Sequence, residues 1–171
     1  MPHRWRLPIL RLMVRLERLR ADHADTLLAF ERANRAYFAR SIPDRGDAYF
    51  AEFTGRLAAL LAEQDAGVCH FHVIKDDRDE LVGRVNLVDV TDGTAELGYR
   101  VGESAAGRGV ASAAVGEVCR LAETTYGLLS LTAVTTLDNP ASRTVLERNG
   151  FTVTGDFTIG DRPGVRYTRP F

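Results

Sequence analysis

The sequence has little net charge and almost no lysine. Among its 22 lysine and arginine residues Lys75 is the only lysine, and 23 acidic residues leave a formal net charge of −1. A chain this close to neutral offers no bulk charge for holding nucleic acid or a membrane surface, so neither partner is expected. Arginine suits carboxylate and phosphate binding, although we attribute its excess mainly to genome composition.

Cysteine is also scarce. The chain has two, Cys69 and Cys119, each inside an apolar run and neither in a CxxC pair. This pattern predicts two small buried hydrophobic side chains. It does not support a disulfide framework or a zinc site, and no metal is expected.

Long hydrophobic runs are missing too. No apolar stretch approaches the ~20 residues that a membrane-spanning helix needs. The opening residues, MPHRWRLPILR, lack the apolar core and the small-residue cleavage site of a secretory signal peptide, so we expect a cytoplasmic protein. The length fits one domain over residues 1–171, with residues 1–9 as an N-terminal extension.

Hydrophobic periodicity predicts seven strands and four helices in the order β-α-α-β-β-β-α-β-α-β-β. The first strand alternates over residues 10–16, and Asp92-Gly93 predicts a two-residue hairpin turn. The run over residues 109–126 has helical spacing between two strands, which predicts a βαβ unit with parallel strands. We therefore expect an α/β (α+β) fold, with a mixed, largely antiparallel sheet of about seven strands flanked by about four helices.

Two glycines flank Arg108 just before the long predicted helix, in the stretch ESAAGRGVASAAVGEVCRLAE. The first amides of a helix have no partner within it, and the helix dipole adds partial positive charge there. Because Gly107 and Gly109 lack a Cβ, a ligand can approach those amides, which predicts a phosphate-binding turn. The Walker pattern is absent, and the dinucleotide fingerprint would need a third glycine where Ser112 stands.

A second motif, LDNPASRTVLERNGF, follows the next predicted strand and contains Asn139 and Ser142. With the glycine turn, and with Leu97-Gly98-Tyr99 before it, this order resembles the GNAT superfamily of N-acetyltransferases, nearest to its ribosomal-protein-alanine N-acetyltransferase branch. Gly150-Phe151 and Asn34-Arg35 are also similar to that branch. The resemblance covers roughly residue 12 to the C-terminus.

One position departs from the general superfamily pattern, because Ala106 stands where glutamine or arginine is usual. That side chain varies within the branch, and the main-chain amides do most of the binding. The departure therefore has little effect on the interpretation.

The resemblance implies acetyl-CoA (coenzyme A) as the cosubstrate. The glycine turn would hold its pyrophosphate, the end of the preceding strand would pair with the pantetheine arm, and the Val101 amide would polarise the thioester carbonyl. Asn139 would bond the arm, cap the following helix, or do both. The implied cofactor-binding residues are Tyr99, Val101, Gly107, Arg108, Gly109, Val110, Ala111, Ser112, Asn139 and Ser142.

Two residues are implied as catalytic. Ser142 would protonate the departing thiolate, a role that tyrosine takes in many relatives. The acceptor ammonium must lose a proton before it can attack, and Glu96 is the first candidate for the base. Glu103, His70 and His72 are its rivals.

The implied function is direct transfer of an acetyl group to a free amine, preferably a protein N-terminal α-amine that enters beside Asn34 and Arg35. A small amine (an amino acid, a polyamine or an antibiotic) is the alternative acceptor. From a different class, a non-catalytic acyl-CoA-binding module would use the same turn without turnover, and a nucleotide is a weaker third ligand. Homodimers are common among such enzymes.

Overall fold

The structure, a computed structural model, describes residues 13–171, in which seven strands form one sheet. The strand order is β1-β2-β3-β4-β5-β7-β6, and only β4 and β5 run parallel. This confirms the expected sheet; residues 10–12 of the predicted first strand lie outside the described residues. The strands are β1 Arg15–Arg18, β2 His70–Lys75, β3 Leu81–Thr91, β4 Thr94–Val101, β5 Ser130–Thr136, β6 Thr152–Ile159 and β7 Arg162–Pro170.

The predicted helices are present, but two of the four are each broken into two segments. The breaks are at Asn34 and Glu52, whose φ angles of −103° and −100°, with ψ near zero, depart from helical values. At Asn34 the side chain donates to Phe30 O of the preceding turn and accepts from the amide of Glu103. The segments are α1 Ala24–Ala33, α2 Arg35–Phe38, α3 Asp47–Ala51, α4 Phe53–Asp65, α5 Val110–Thr124 and α6 Pro140–Arg148.

The helices cover both faces of the sheet and bury a core on each. On one face, apolar side chains of α5 at helical spacing, such as Val110, Ala114 and Val118, pack with α6 onto the strands. On the other face α1, α3 and α4 form a second core. Cys119 is buried in the first core and Cys69 in the second, as predicted, and burial raises the pKa of both thiols.

Two kinds of feature are absent from residues 13–171. None of the helices there has the length and apolar character needed to cross a bilayer. That part of the chain also contains no group of three or more histidine, cysteine or acidic side chains placed to hold a metal ion.

The parallel strands β4 and β5 separate soon after they meet. Their register covers residues 94–96 of β4 and 130–132 of β5, where α5 connects them as the predicted βαβ unit. Beyond that point β4 stays paired with β3 as far as Val101, and β5 stays paired with β7 as far as Thr136. The sheet therefore has a wedge-shaped gap that opens toward the glycine turn.

Gly83 in β3 has no room for a side chain against its neighbours in the sheet. A Cβ there would lie 2.5 Å from Arg100 O and 2.9 Å from Ile74 Cδ1. Because main chain held in a ladder cannot move away freely, Gly83→Ala is expected to lower the free energy of unfolding by about 1–3 kcal/mol, measured by urea denaturation. The control is Gly98→Ala in β4, where a Cβ would meet nothing within 4 Å. An equal loss in both variants would contradict the steric explanation.

Candidate active site

The gap between β4 and β5 opens into a groove of about 1030 Å³. Its walls are residues 97–101 of β4, residues 133–136 of β5, the glycine turn, the first turns of α6, the loop after α2 and the β6–β7 turn. Because the gap passes through the sheet, the groove connects the α5–α6 face with the α1–α2 face. A ligand can therefore lie between the strands and be reached from both faces.

The main chain of β4 has free hydrogen-bonding groups along the groove. Gly102 N–H donates to Val82 O at 2.8 Å, so in this register the even-numbered residues of β4 bond to β3. The C=O of Leu97 and the N–H and C=O groups of Tyr99 and Val101 therefore point into the gap, beyond the last paired residues of β4 and β5. An extended ligand can pair with this edge as an additional strand would.

The glycine turn presents a run of unpaired amides at the end of the groove. Gly107 and Gly109 have φ of +73° and +79°, and a Cβ at either would project into open space. The first bond of α5 runs from Ala113 N to Gly109 O, and the N–H groups of residues 107–112 find no acceptor among residues 13–171. Successive free amides at a helix N-terminus favour an anion, so these residues fit a diphosphate.

Some side chains of the glycine turn and the start of α5 line the groove, and others do not. Ala111 and Ser112 line the groove. Val110 is buried in the core, and Arg108 is exposed and does not line the groove. For Val110 and Arg108, therefore, the main-chain amides are placed to bind the cofactor as predicted, and the side chains are not.

Tyr99, Ser142 and Asn139 come together on one wall. The Tyr99 hydroxyl donates to Ser142 Oγ at 3.1 Å, and Ser142 N–H donates to Asn139 Oδ1 at 3.1 Å, which caps α6. Burial raises the pKa of Tyr99, although the bond to Ser142 acts in the opposite direction, so the phenol stays protonated at neutral pH. Because Ser142 Oγ accepts from Tyr99, the serine proton is free to point into the groove.

Glu96 lies further along β4 from Val101 than any of the β4 residues that line the groove. It is half-buried, on the face of β4 that carries Gly98 and Arg100, and it is not part of the groove lining. Val101 is five positions further along the strand, or roughly 17 Å away. Glu96 stays a prediction as the base, and it would have to act through a chain of water molecules.

Asn34 and Arg35 hold the structure beside the groove. Asn34 Oδ1 accepts from Glu103 N–H at 2.9 Å. Arg35 pairs with Asp44 and Asp47 at 2.8 Å each, which fixes the loop between α2 and α3. Neither side chain lines the groove, so their role in acceptor binding stays a prediction.

The histidine rivals for the base lie in a separate cluster with Tyr126 and Arg18. His72 Nε2 is 2.5 Å from the Tyr126 hydroxyl, and the His70 ring stacks on Tyr126 at 3.7 Å. Arg18 donates to both Tyr126 and His70. Neither histidine lines the groove, and burial lowers the pKa of His72 to about 4.

A buried ion network beside the groove had no motif to predict it. Glu31 of α1 is 1% exposed, and its carboxylate takes Arg84 Nη1 at 3.1 Å and Arg100 Nη1 at 3.4 Å. Two guanidinium groups share one carboxylate, so the triad carries one surplus positive charge. Burial, with repulsion from Arg45, lowers the pKa of Arg100 to about 10. The one available signal was a glutamate four residues after Leu27, on the buried face of α1.

Comparisons with known proteins agree on the fold. A family model described as "Acetyltransferase (GNAT) domain" matches residues 13–152. No curated protein sequence matches the chain. Among solved structures, ribosomal-protein-S5-alanine acetyltransferase from Vibrio fischeri is 19% identical, with 92% of each chain covered and a TM-score of 0.85.

Two further structures are similar at comparable identity. Mycobacterium smegmatis RimJ in complex with CoA-disulfide is 24% identical, with 92% of this chain and 81% of that chain covered and a TM-score of 0.83. Spermidine N-acetyltransferase from Vibrio cholerae, in complex with CoA and spermine, is 17% identical, with 92% and 95% covered and a TM-score of 0.75. At these identities the similarity shows a shared fold.

The low pKa of His72 predicts a pH-dependent stability. The folded value of about 4 lies below the ordinary 6.5, so the unfolded chain binds more protons between these values and stability falls as pH falls from 6.5 toward 4. The loss amounts to at most about 3 kcal/mol. His72→Gln should remove most of this dependence in urea denaturation at pH 7, 6 and 5.

The chosen pH range excludes the Glu17 carboxyl but not His70, whose pKa is also lowered by burial and which therefore adds a dependence of the same sign. The Glu17 carboxyl, whose pKa is lowered to about 2 mainly by its bond to Arg15, affects stability only below its ordinary value of 4.5. Parallel losses in the wild type and the variant between pH 7 and pH 5 would show that another group is responsible.

Proposed function

The chain belongs to the GNAT acetyltransferase family, and from that membership we propose an acetyl-CoA-dependent enzyme that acetylates a protein N-terminal α-amine directly. The observation that carries this proposal is the run of free amides over residues 107–112, at the end of a groove that also holds the Tyr99–Ser142 pair. Direct transfer is favoured because Cys69 and Cys119, the two thiols, are both buried away from the groove.

The cosubstrate would lie along the groove from the glycine turn to Val101. Its diphosphate would accept from the amides of residues 107–112, and its pantetheine arm would pair with the open edge of β4. Asn139 can serve both of its predicted roles, because Oδ1 caps α6 while Nδ2 has no acceptor among the described residues.

Three residues of the groove wall would each have a separate role in the transfer reaction. The Val101 amide, which points into the gap, would donate to the thioester oxygen as it gains negative charge. The amine nitrogen would form the new bond to the carbonyl carbon as the carbon–sulfur bond breaks. Ser142 would give its proton to the departing thiolate sulfur and regain one from water, while Tyr99 would stabilise the serine oxygen by the hydrogen bond that it already donates.

Loss of the acceptor proton needs only a weak base. An N-terminal α-amine has a pKa of about 7.7–8.0, so a substantial fraction is neutral near pH 7. The surplus positive charge of the triad formed by Glu31, Arg84 and Arg100 would favour the neutral amine further. Water linked to Glu96 remains our proposed recipient of the proton.

A small amine is the second candidate acceptor, and the fold similarity to the spermidine enzyme supports it. The two candidates differ in how much charge they bring into the groove. A panel of peptides and small amines distinguishes them by initial rate.

Isothermal titration calorimetry with acetyl-CoA tests the binding step. The wild type should bind, and Gly107→Ala should weaken binding by about tenfold or more because its Cβ would occupy the space in front of the amides. Gly127→Ala is the matched control, since Gly127 also has a positive φ and open space around it but does not line the groove. Absence of binding by the wild type at high micromolar acetyl-CoA would refute the proposed function.

Steady-state kinetics test whether Ser142 is the general acid. Ser142→Ala should lower kcat by about 10²–10⁴-fold and leave the acetyl-CoA affinity nearly unchanged. Tyr99→Phe should lower kcat less, and adding it to Ser142→Ala should cost little more, because the two hydroxyls act as one unit. Thr144→Ala, in the same helix and the same lining, is the control. If Ser142→Ala reduces affinity as much as turnover, the serine serves binding.

A further inference from the structure

The charged side chains at the acceptor end of the groove are mostly basic. Because the glycine turn takes the cosubstrate from the α5–α6 side, the acceptor is left with the loop after α2 and the β6–β7 turn. We call residues 37–43, Arg100 and residues 159–162 the acceptor mouth; all of them line the groove. The mouth contains Arg40, Arg100 and Arg162, and Asp161 is its one carboxylate.

Existing ion pairs neutralise only part of this charge. Arg162 pairs with Asp138 and donates to Ser41 O, which joins the two walls of the mouth. Arg100 shares the Glu31 carboxylate with Arg84, so the triad keeps one positive charge.

Arg40 is exposed, lies 5.7 Å from the Tyr37 ring centroid and has no acidic partner within 4.0 Å among residues 13–171. Two positive charges therefore remain in the mouth, that of Arg40 and the surplus charge of the triad, and Asp161 offsets one of them. Behind the mouth, Arg35 pairs with two carboxylates, which leaves one surplus negative charge. That charge balances the positive charge of Arg45. The acceptor mouth is therefore net positive.

We propose that the acceptor is an N-terminal peptide with carboxylate side chains close to its free amine, and that polyamines are excluded. This inference rests on the proposed function and names its substrate class. A polyamine would add several positive charges beside Arg40 and the triad, where like charges repel. A carboxylate near the amine would pair with Arg40 and compensate the triad, and Arg100, with its side chain only 18% exposed, would act with little screening by solvent.

The test compares peptide acceptors that differ mainly in side-chain charge, together with two small amines. Three hexapeptides share one N-terminal residue and carry two Glu, two Gln or two Lys at the next positions; free glutamate and spermidine are added. The acidic peptide should exceed the neutral one by about tenfold in kcat/KM at low ionic strength, the basic peptide and spermidine should be poorest, and salt should reduce the differences.

A charge-reversed pair of variants locates the effect. Arg40→Glu should cut the acidic-to-neutral preference by about tenfold or more, because it reverses the unpaired charge of the mouth. Arg78→Glu makes the same change of net charge at an exposed turn between β2 and β3, away from the groove, and should leave the preference intact. Both sites are exposed, so neither variant should impair folding, and thermal unfolding verifies this.

The outcomes separate this inference from the proposed function. Transfer to neutral or basic peptides, or to spermidine, at rates equal to the acidic peptide would overturn the inference while the acetyltransferase activity stands. Preference for free glutamate over every peptide would overturn the peptide assignment. An equal effect of Arg40→Glu and Arg78→Glu would also overturn it, because the mouth would then have no special role. Absence of acetyl-CoA binding would instead refute the proposed function.

Discussion

The separation of β4 from β5 is the constraint on which the rest of the site depends. Each strand keeps its other neighbour, β3 for β4 and β7 for β5, so the strands stay ordered without each other. The edge groups released by the separation face the groove, where water or a ligand can satisfy them. Because α5 starts at the open end, its free amides continue this edge, and one extended molecule can use both.

The features that the sequence predicted well depend on neighbours in the chain. Asp92 and Gly93, both with positive φ, form the turn between β3 and β4 because few other residues adopt that backbone. The α5 helix and its parallel strands followed from periodicity and from the length of the connection. The cap of α6 by Asn139 is equally local. The roles predicted for Tyr99 and Ser142 came from the resemblance to a family, and their contact was not predicted, because no local pattern joins residues 43 positions apart.

Other parts of the site depend on contacts between distant segments. The break at Asn34 needs Glu103, which lies 69 residues away, and the Glu31 triad joins α1 to β3 and β4. The link from Arg162 to Ser41 spans 121 residues. A sequence pattern cannot report such pairs, so the ionic character of the acceptor mouth became apparent only from the fold. The distance of Glu96 from Val101 likewise became apparent only from the fold, because Glu96 is on the expected strand but far along it.

The bond between Asn34 and Glu103 has a thermodynamic consequence. Asn34 ends the helix that packs beside the acceptor loop, and Glu103 begins the segment that leads into the glycine turn. A displacement of α1 by an arriving acceptor would pull on the segment that sets the diphosphate donors. The occupancy of either substrate site would then alter the affinity of the other by the same factor, since such linkage is reciprocal. A side-chain amide between two secondary-structure elements would thereby couple the two substrate sites.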